Sequence, residues 1–254
     1  MATTLNQGRC PMLSDLLTSR PIRAFIFDVD GVVADTAGFH VAAWKGAVQE
    51  QGIDFPESIA ESLRGESRRR SLELILGERT ISQEQFETIM HRKNEAYVAA
   101  LSRLTNDDCM PGVVRLIGLL RKNGIKVGAV SASQSARRVL QLIGASKLFE
   151  TVVDGRDAQF IPEKHRFEIA VAKLEVSPAN CCVVEDSLAN IVVAKKLGMC
   201  AIGVGPAASS NEADYVLETL EALVRRENAL PSIRLKADDV SNEWNSDCPP
   251  LGCR

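Results

Sequence analysis

Apolar and polar positions fall into two regimes along the chain. In the first, short unbroken apolar runs alternate with stretches of helical spacing. Ala24-Phe25-Ile26-Phe27, IKVGAVSAS (125–133), FETVVDG (149–155), SPANCCVVEDS (177–187) and CAIGVG (200–205) read as strands, and continuous apolar runs of this length suit strands buried on both faces. Between them, PGVVRLIGLLRKNG (111–124), SARRVLQLIGA (135–145), KHRFEIAVAKLEV (164–176) and LANIVVAKKLG (188–198) have helical spacing. Alternating strands and helices predict an α/β fold, a Rossmann-like parallel sheet with helices on both faces. A short strand and a helix in ADYVLETLEALVRRE (213–227) close it. The second regime interrupts the first directly after the first strand. HVAAWKGAVQEQG, with Val41, Trp44 and Val48 on one face, SLELILG, and ISQEQFETIMHRKNEAYVAAL, opened by Ser82 and Gln85 as a capping box, predict a helical insert of roughly 70 residues. The expected division is a disordered leader over 1–21, a core over 22–37 and 104–226, a cap over 38–103 and a mobile tail over 227–254.

Composition narrows the class. Apolar residues make up 45% of the 254 positions, enough for a large core. The net charge of -3, without a basic block, speaks against nucleic acid as a partner. No apolar run is long enough for a bilayer and the N-terminus has no signal core, so a cytoplasmic protein off the membrane is expected. It is expected to be a monomer. Seven cysteines without CxxC spacing suggest buried thiols rather than a disulfide framework or a zinc site.

The candidate chemistry sits at the ends of the predicted strands. The first strand delivers Asp28 and Asp30, one residue apart and followed by Gly31. Alternate strand side chains share a face, so both carboxylates can address one point, as a divalent cation or a nucleophile beside an acid/base requires. An Asp-Gly turn is the plainer reading of that string alone. Later strands end in Ser131-Ala132-Ser133, Asp154-Gly155 and Glu185-Asp186-Ser187. Serines there suit either phosphate oxygens or a helix cap, and Glu185-Asp186 either a hard cation or a helix N-terminus. Four successive polar strand ends on one sheet edge favour a common site.

FDVDGVVADT, VSAS and VVEDS resemble three signatures of the haloacid dehalogenase superfamily of phosphotransferases, over residues 22–223. The insert, with HVAAWK (40–45), RGESRRRSL (64–72) and Arg92-Lys93-Asn94, resembles the cap of the β-phosphoglucomutase-like subfamily. The resemblance implies an enzyme in which Asp28 is a nucleophile that takes up a phosphoryl group and Asp30 a general acid and base. Asp28, the Asp30 carbonyl and Asp186 would hold Mg²⁺ with Glu185 close by. Ser131 and Ala132, with Ser133 beside them, would bind the transferring phosphate, and Arg68 the distal phosphate of a bisphosphate. His40, Trp44, Arg64, Ser71, Lys93 and Asn94 would shape a pocket for a small phosphorylated sugar, and Thr36 would lie in the cap linker. Trp44 and His40 also fit plain core and surface roles.

One departure stands out. Where the third signature has lysine before proline, this chain has Ile161 before Pro162, with Phe167 in register. The lysine's usual task is to offset repulsion between nucleophile and phosphate. Lys164 is the first candidate substitute, with Arg166 and Arg156 as others. Gln134 and Ser135 also stand where the subfamily often has Lys-Asn. The expected function is a sugar phosphomutase converting β-glucose 1-phosphate to glucose 6-phosphate. A sugar-phosphate phosphatase and a low-activity or non-catalytic relative are the alternatives.

Overall fold

In the computed structural model, which describes residues 13–160 and 164–224, the apolar runs line up side by side. Helix α1 (Leu13–Ser19) precedes strand β1 (Ala24–Asp28). Helices α2 (Ala37–Gln49), α3 (Arg68–Leu76) and α4 (Gln83–Ala100) form the insert. Then follow α5 (Val113–Lys122), β2 (Lys126–Val130), α6 (Ala136–Leu142), β3 (Thr151–Val153), α7 (Gly155–Phe160), α8 (Arg166–Leu174), β4 (Cys181–Glu185), α9 (Leu188–Lys196), β5 (Cys200–Val204), β6 (Tyr215–Leu217) and α10 (Glu221–Val224). The six strands make one sheet in the order β3-β2-β1-β4-β5-β6. Every pairing is parallel, with Phe27 beside Ala129 on one side and Val184 on the other.

Alternate strand positions feed two cores. Phe25, Phe27, Val127 and Cys182 pack with α1, α5, α6 and α10 on one face, and Ala24, Ile26, Cys181 and Val183 with α8 and α9 on the other. β1 is buried along its whole length because it is central and covered twice. The insert has a core of its own, built from Trp44, Val48, Leu72, Ile75 and Ile89. Ser82 caps α4 in a capping box with Gln85, as the sequence predicts. Cys109, Cys181, Cys182 and Cys200 are free thiols.

Part of the expected disordered leader is ordered instead. Leu13 and Leu16, three positions apart, bury one face of α1 in the first core, which holds this helix in place. The expected tail, 227–254, lies outside the described residues, as do Ile161 and Pro162. No helix among the described residues is long and apolar enough to cross a membrane.

Candidate active site

With β1 flanked by β2 and β4, the residues after these strands meet at the carboxyl edge beside the point where strand order reverses, where open α/β sheets bind ligands. Asp28 ends β1, and Glu185 and Asp186 follow from β4. An oxygen from each of these three buried acids lies within 4.8 Å of the others. Gly31 makes the close packing possible: its φ is 88°, and a Cβ there would collide with the Asp186 carboxylate.

Three buried carboxylates this close resist ionising together. Burial, then the charges of Glu185, Asp186 and Asp30, hold the Asp28 carboxyl well above its usual range. Glu185 is pushed up by burial and by Asp186, against hydrogen bonds from the Ser187 amide at 3.1 Å and Asn190 Nδ2 at 2.8 Å. Asp186 is raised by burial despite Arg64, whose Nη1 lies 2.5 Å from Oδ2. An all-oxygen cluster of repelling carboxylates fits a hard divalent cation. Asp28, Glu185 and Asp186 are the side chains that would hold it.

The side chain of Asp30 does not join that cluster. Its Oδ1 accepts from Thr36 Oγ1 at 2.6 Å and Tyr97 OH at 3.1 Å, and lies 3.2 Å from His40 Nε2. Its Oδ2 accepts from Ser131 Oγ at 2.9 Å. Burial alone would raise this carboxyl, but His40, Thr36 and Ser131 outweigh it and hold the group far below its usual range. Lys93 Nζ lies 2.8 Å from His40 Nδ1. With the ammonium donating to Nδ1, the imidazole carries its own proton on Nε2, facing Asp30. Lys93 itself is lowered to about 7, by burial and by Arg68.

Most of the sequence-predicted residues line one cavity of about 710 Å³. Asp28, Asp30, Ser131, Ala132 and Ser133 come to it from the sheet edge, and His40, Trp44, Arg64, Arg68, Ser71, Lys93 and Asn94 from the insert. Arg68 Nη2 donates to Asn94 Oδ1 at 2.8 Å, which joins α3 to α4 at the cavity. Glu185 and Asp186 adjoin Asp28 but are not among the residues that line the cavity. Lys164 is exposed and is not among the lining residues, and neither is Arg156. Lys164 precedes His165, whose side chain caps α8 by accepting from the Phe167 amide. Arg166, the first residue of α8, does line the cavity.

Two contributors are invisible to the sequence argument. Tyr97 reads as core, although its place four residues after Lys93 puts both on one helix face. Asn190, in the first turn of α9, donates to Glu185.

The model for haloacid dehalogenase-like hydrolases matches residues 22–198. A β-phosphoglucomutase from Bacillus subtilis is 38% identical over 212 residues, covering 80% of this chain and 94% of its own. Hexitol phosphatase A from Escherichia coli is 26% identical, over 79% of this chain and 93% of its own. Among solved structures, a β-phosphoglucomutase from Clostridium difficile superposes with a TM-score of 0.73 at 33% identity, covering 80% of this chain and 93% of that one.

Proposed function

Since the chain belongs to the haloacid dehalogenase-like hydrolase family, and so is an enzyme of phosphomutase or phosphatase type, we propose that it is a Mg²⁺-dependent sugar phosphomutase of the β-phosphoglucomutase kind. The observation that carries this reading is the polarity of the cavity. Its sheet side presents Asp28, the candidate nucleophile, and its cap side presents Arg68, Lys93 and Asn94. Such a cavity suits a substrate phosphorylated at both ends, with one phosphate at Asp28 and the other gripped by Arg68, whose guanidinium can hold a phosphate bidentately.

In this reading the resting enzyme carries a phosphoryl group on Asp28. The ionised Asp30 accepts the proton of an incoming sugar hydroxyl as that oxygen forms its bond to phosphorus and the bond from phosphorus to the Asp28 oxygen breaks. After the resulting bisphosphate turns round, Asp28 attacks the other phosphorus. The departing sugar oxygen takes back the proton from Asp30. The four-membered shell of Thr36, His40, Tyr97 and Ser131 keeps Asp30 ionised for the first half and oriented for the second. Asp28, Glu185 and Asp186 would hold Mg²⁺, which would supply charge neutralisation for the acids and the transferring phosphoryl group. The cap residues exclude water, which would otherwise divert the phosphoryl group to hydrolysis.

The test is product identity. β-Glucose 1-phosphate with Mg²⁺ and a trace of the 1,6-bisphosphate should give glucose 6-phosphate, and Asp28→Asn should abolish it. Free phosphate as the only product would replace this reading with a sugar-phosphate phosphatase. Gln134 on the cavity wall, where the subfamily often has lysine, and the similarity to hexitol phosphatase A favour that second reading.

A further inference from the structure

Phosphoryl transfer at Asp28 brings an anionic phosphate against a carboxylate already crowded by Glu185 and Asp186. The position of the third-signature lysine holds Ile161, which brings no charge. Among the described residues, the arginines and lysines lining the cavity are Arg64, Arg68, Arg69, Lys93 and Arg166. The first four belong to the cap. Arg64 is paired with Glu61 and Asp186, Arg68 with Asn94, Arg69 with Glu73, and Lys93 with His40. Arg166 alone comes from the sheet-bearing core.

Its bonding differs from theirs. Nη2 donates to the Gly65 carbonyl of the cap at 2.9 Å, and Nε is buried without a hydrogen-bond partner among the described residues. A buried guanidinium N–H left unpaired is costly, and such groups call for an explanation. Arg166 also breaks a local rule, because a cation in the first turn of a helix opposes the helix dipole. Local violations of this kind concentrate at functional sites. Arg166 and Asp28 line the same cavity. The Gly65 carbonyl reaches Arg166 because residue 65 is glycine, with φ of 71°, and a Cβ there would collide with Asn190.

We propose that Arg166 supplies the positive charge beside Asp28 and the transferring phosphate that Ile161 does not, and that the cap's Gly65 carbonyl holds its guanidinium in place. The inference rests on the phosphoryl-transfer reading above. Arg166 passes no proton: the bond formed at phosphorus and the bond broken there are unchanged, and the guanidinium offsets charge throughout.

Arg166→Met, Arg166→Lys and the double variant Arg166→Met/Ile161→Lys test this with two readouts, sugar-phosphate turnover and calorimetric affinity for orthophosphate in the presence of Mg²⁺. Arg166→Met should lower kcat/KM about 100-fold and weaken orthophosphate at least tenfold. Arg166→Lys should stay within about tenfold of the parent in both, and Ile161→Lys should recover at least tenfold in the Met background, since the requirement is for a positive charge. A folded Arg166→Met within threefold of the parent in both readouts would overturn the proposal, as would Lys and Met variants equally impaired. If the parent turns over no phosphorylated sugar, the functional reading fails, while the orthophosphate affinities still decide the role of Arg166.

Discussion

Replacing Tyr97 by Phe removes one of the four groups around the Asp30 carboxylate and leaves the packing of the ring intact. The hydroxyl stays protonated as a donor, because burial and the Asp30 charge hold its pKa far above the usual value. A donor lost from an ionised acceptor costs about 1–2 kcal/mol, so kcat/KM should fall roughly five- to thirtyfold with little change in thermal midpoint. An unchanged kcat/KM would deny this hydroxyl a part in holding Asp30. His165, which caps α8, holds its proton differently in the folded and unfolded chain. Burial, then the Arg166 charge, push its pKa to about 4. Its folded pKa therefore lies below the unfolded value of about 6.5, and the unfolded chain binds the extra proton between them. Stability is lost as pH falls through that window, and His165→Asn, which keeps a cap acceptor without titrating, should flatten this part of the midpoint–pH curve. At this scale Asp28, Asp30, Glu185 and Asp186 are legible because strand ends in a parallel sheet share an edge. Tyr97 is not, since an aromatic at helical spacing looks the same whether it fills a core or faces a carboxylate. Nor is the contrast between exposed Lys164 and cavity-lining Arg166, since both are cations close to the start of one helix.

The element most exposed to test is α4, which carries Lys93, Asn94 and Tyr97 on its cavity side. Its first turn is closed by the Ser82 and Gln85 capping box, far along the helix from those residues. Ser82→Ala should cost about 1 kcal/mol in urea denaturation while leaving KM unchanged. A raised KM would mean that the frayed end reaches the cavity. The cap helices and that capping box are legible because amphipathic spacing and a cap signature agree. The same holds for β1, β2, β4 and β5, whose apolar runs are continuous. Short elements are harder to see. Seven-residue α1 shows too few turns for its period to stand out, and six-residue α7 begins at the glycine that ends the third apolar run. Strand order is absent from local pattern altogether. It comes from the crossovers and from which faces α8 and α9 cover.

The cap and the sheet edge are tied together by charge as well as by packing: Arg64 reaches Asp186, Arg166 reaches Gly65, and His40 and Tyr97 reach Asp30. Asp186 therefore serves two partners, the proposed divalent cation on one side and the cap's arginine on the other. A cation bound to the folded site stabilises it by mass action, about 2.7 kcal/mol at a hundredfold excess over Kd, which for a chain of this size is a rise of roughly 5–10 °C in midpoint. Mg²⁺ should produce that rise in the metal-stripped parent, and Glu185→Gln should diminish it. Because burial and mutual repulsion raise the protons on Asp28, Glu185 and Asp186, binding must expel protons near neutrality, and affinity should climb with pH. Arg64 places a fixed positive charge 2.5 Å from Asp186 Oδ2, where it repels the incoming ion. Arg64→Ala should accordingly tighten Mg²⁺ several-fold in titration calorimetry while impairing sugar-phosphate turnover, the two effects running in opposite directions. If Arg64 were instead only a cavity contact for substrate, turnover would fall and Mg²⁺ affinity would stay where it was.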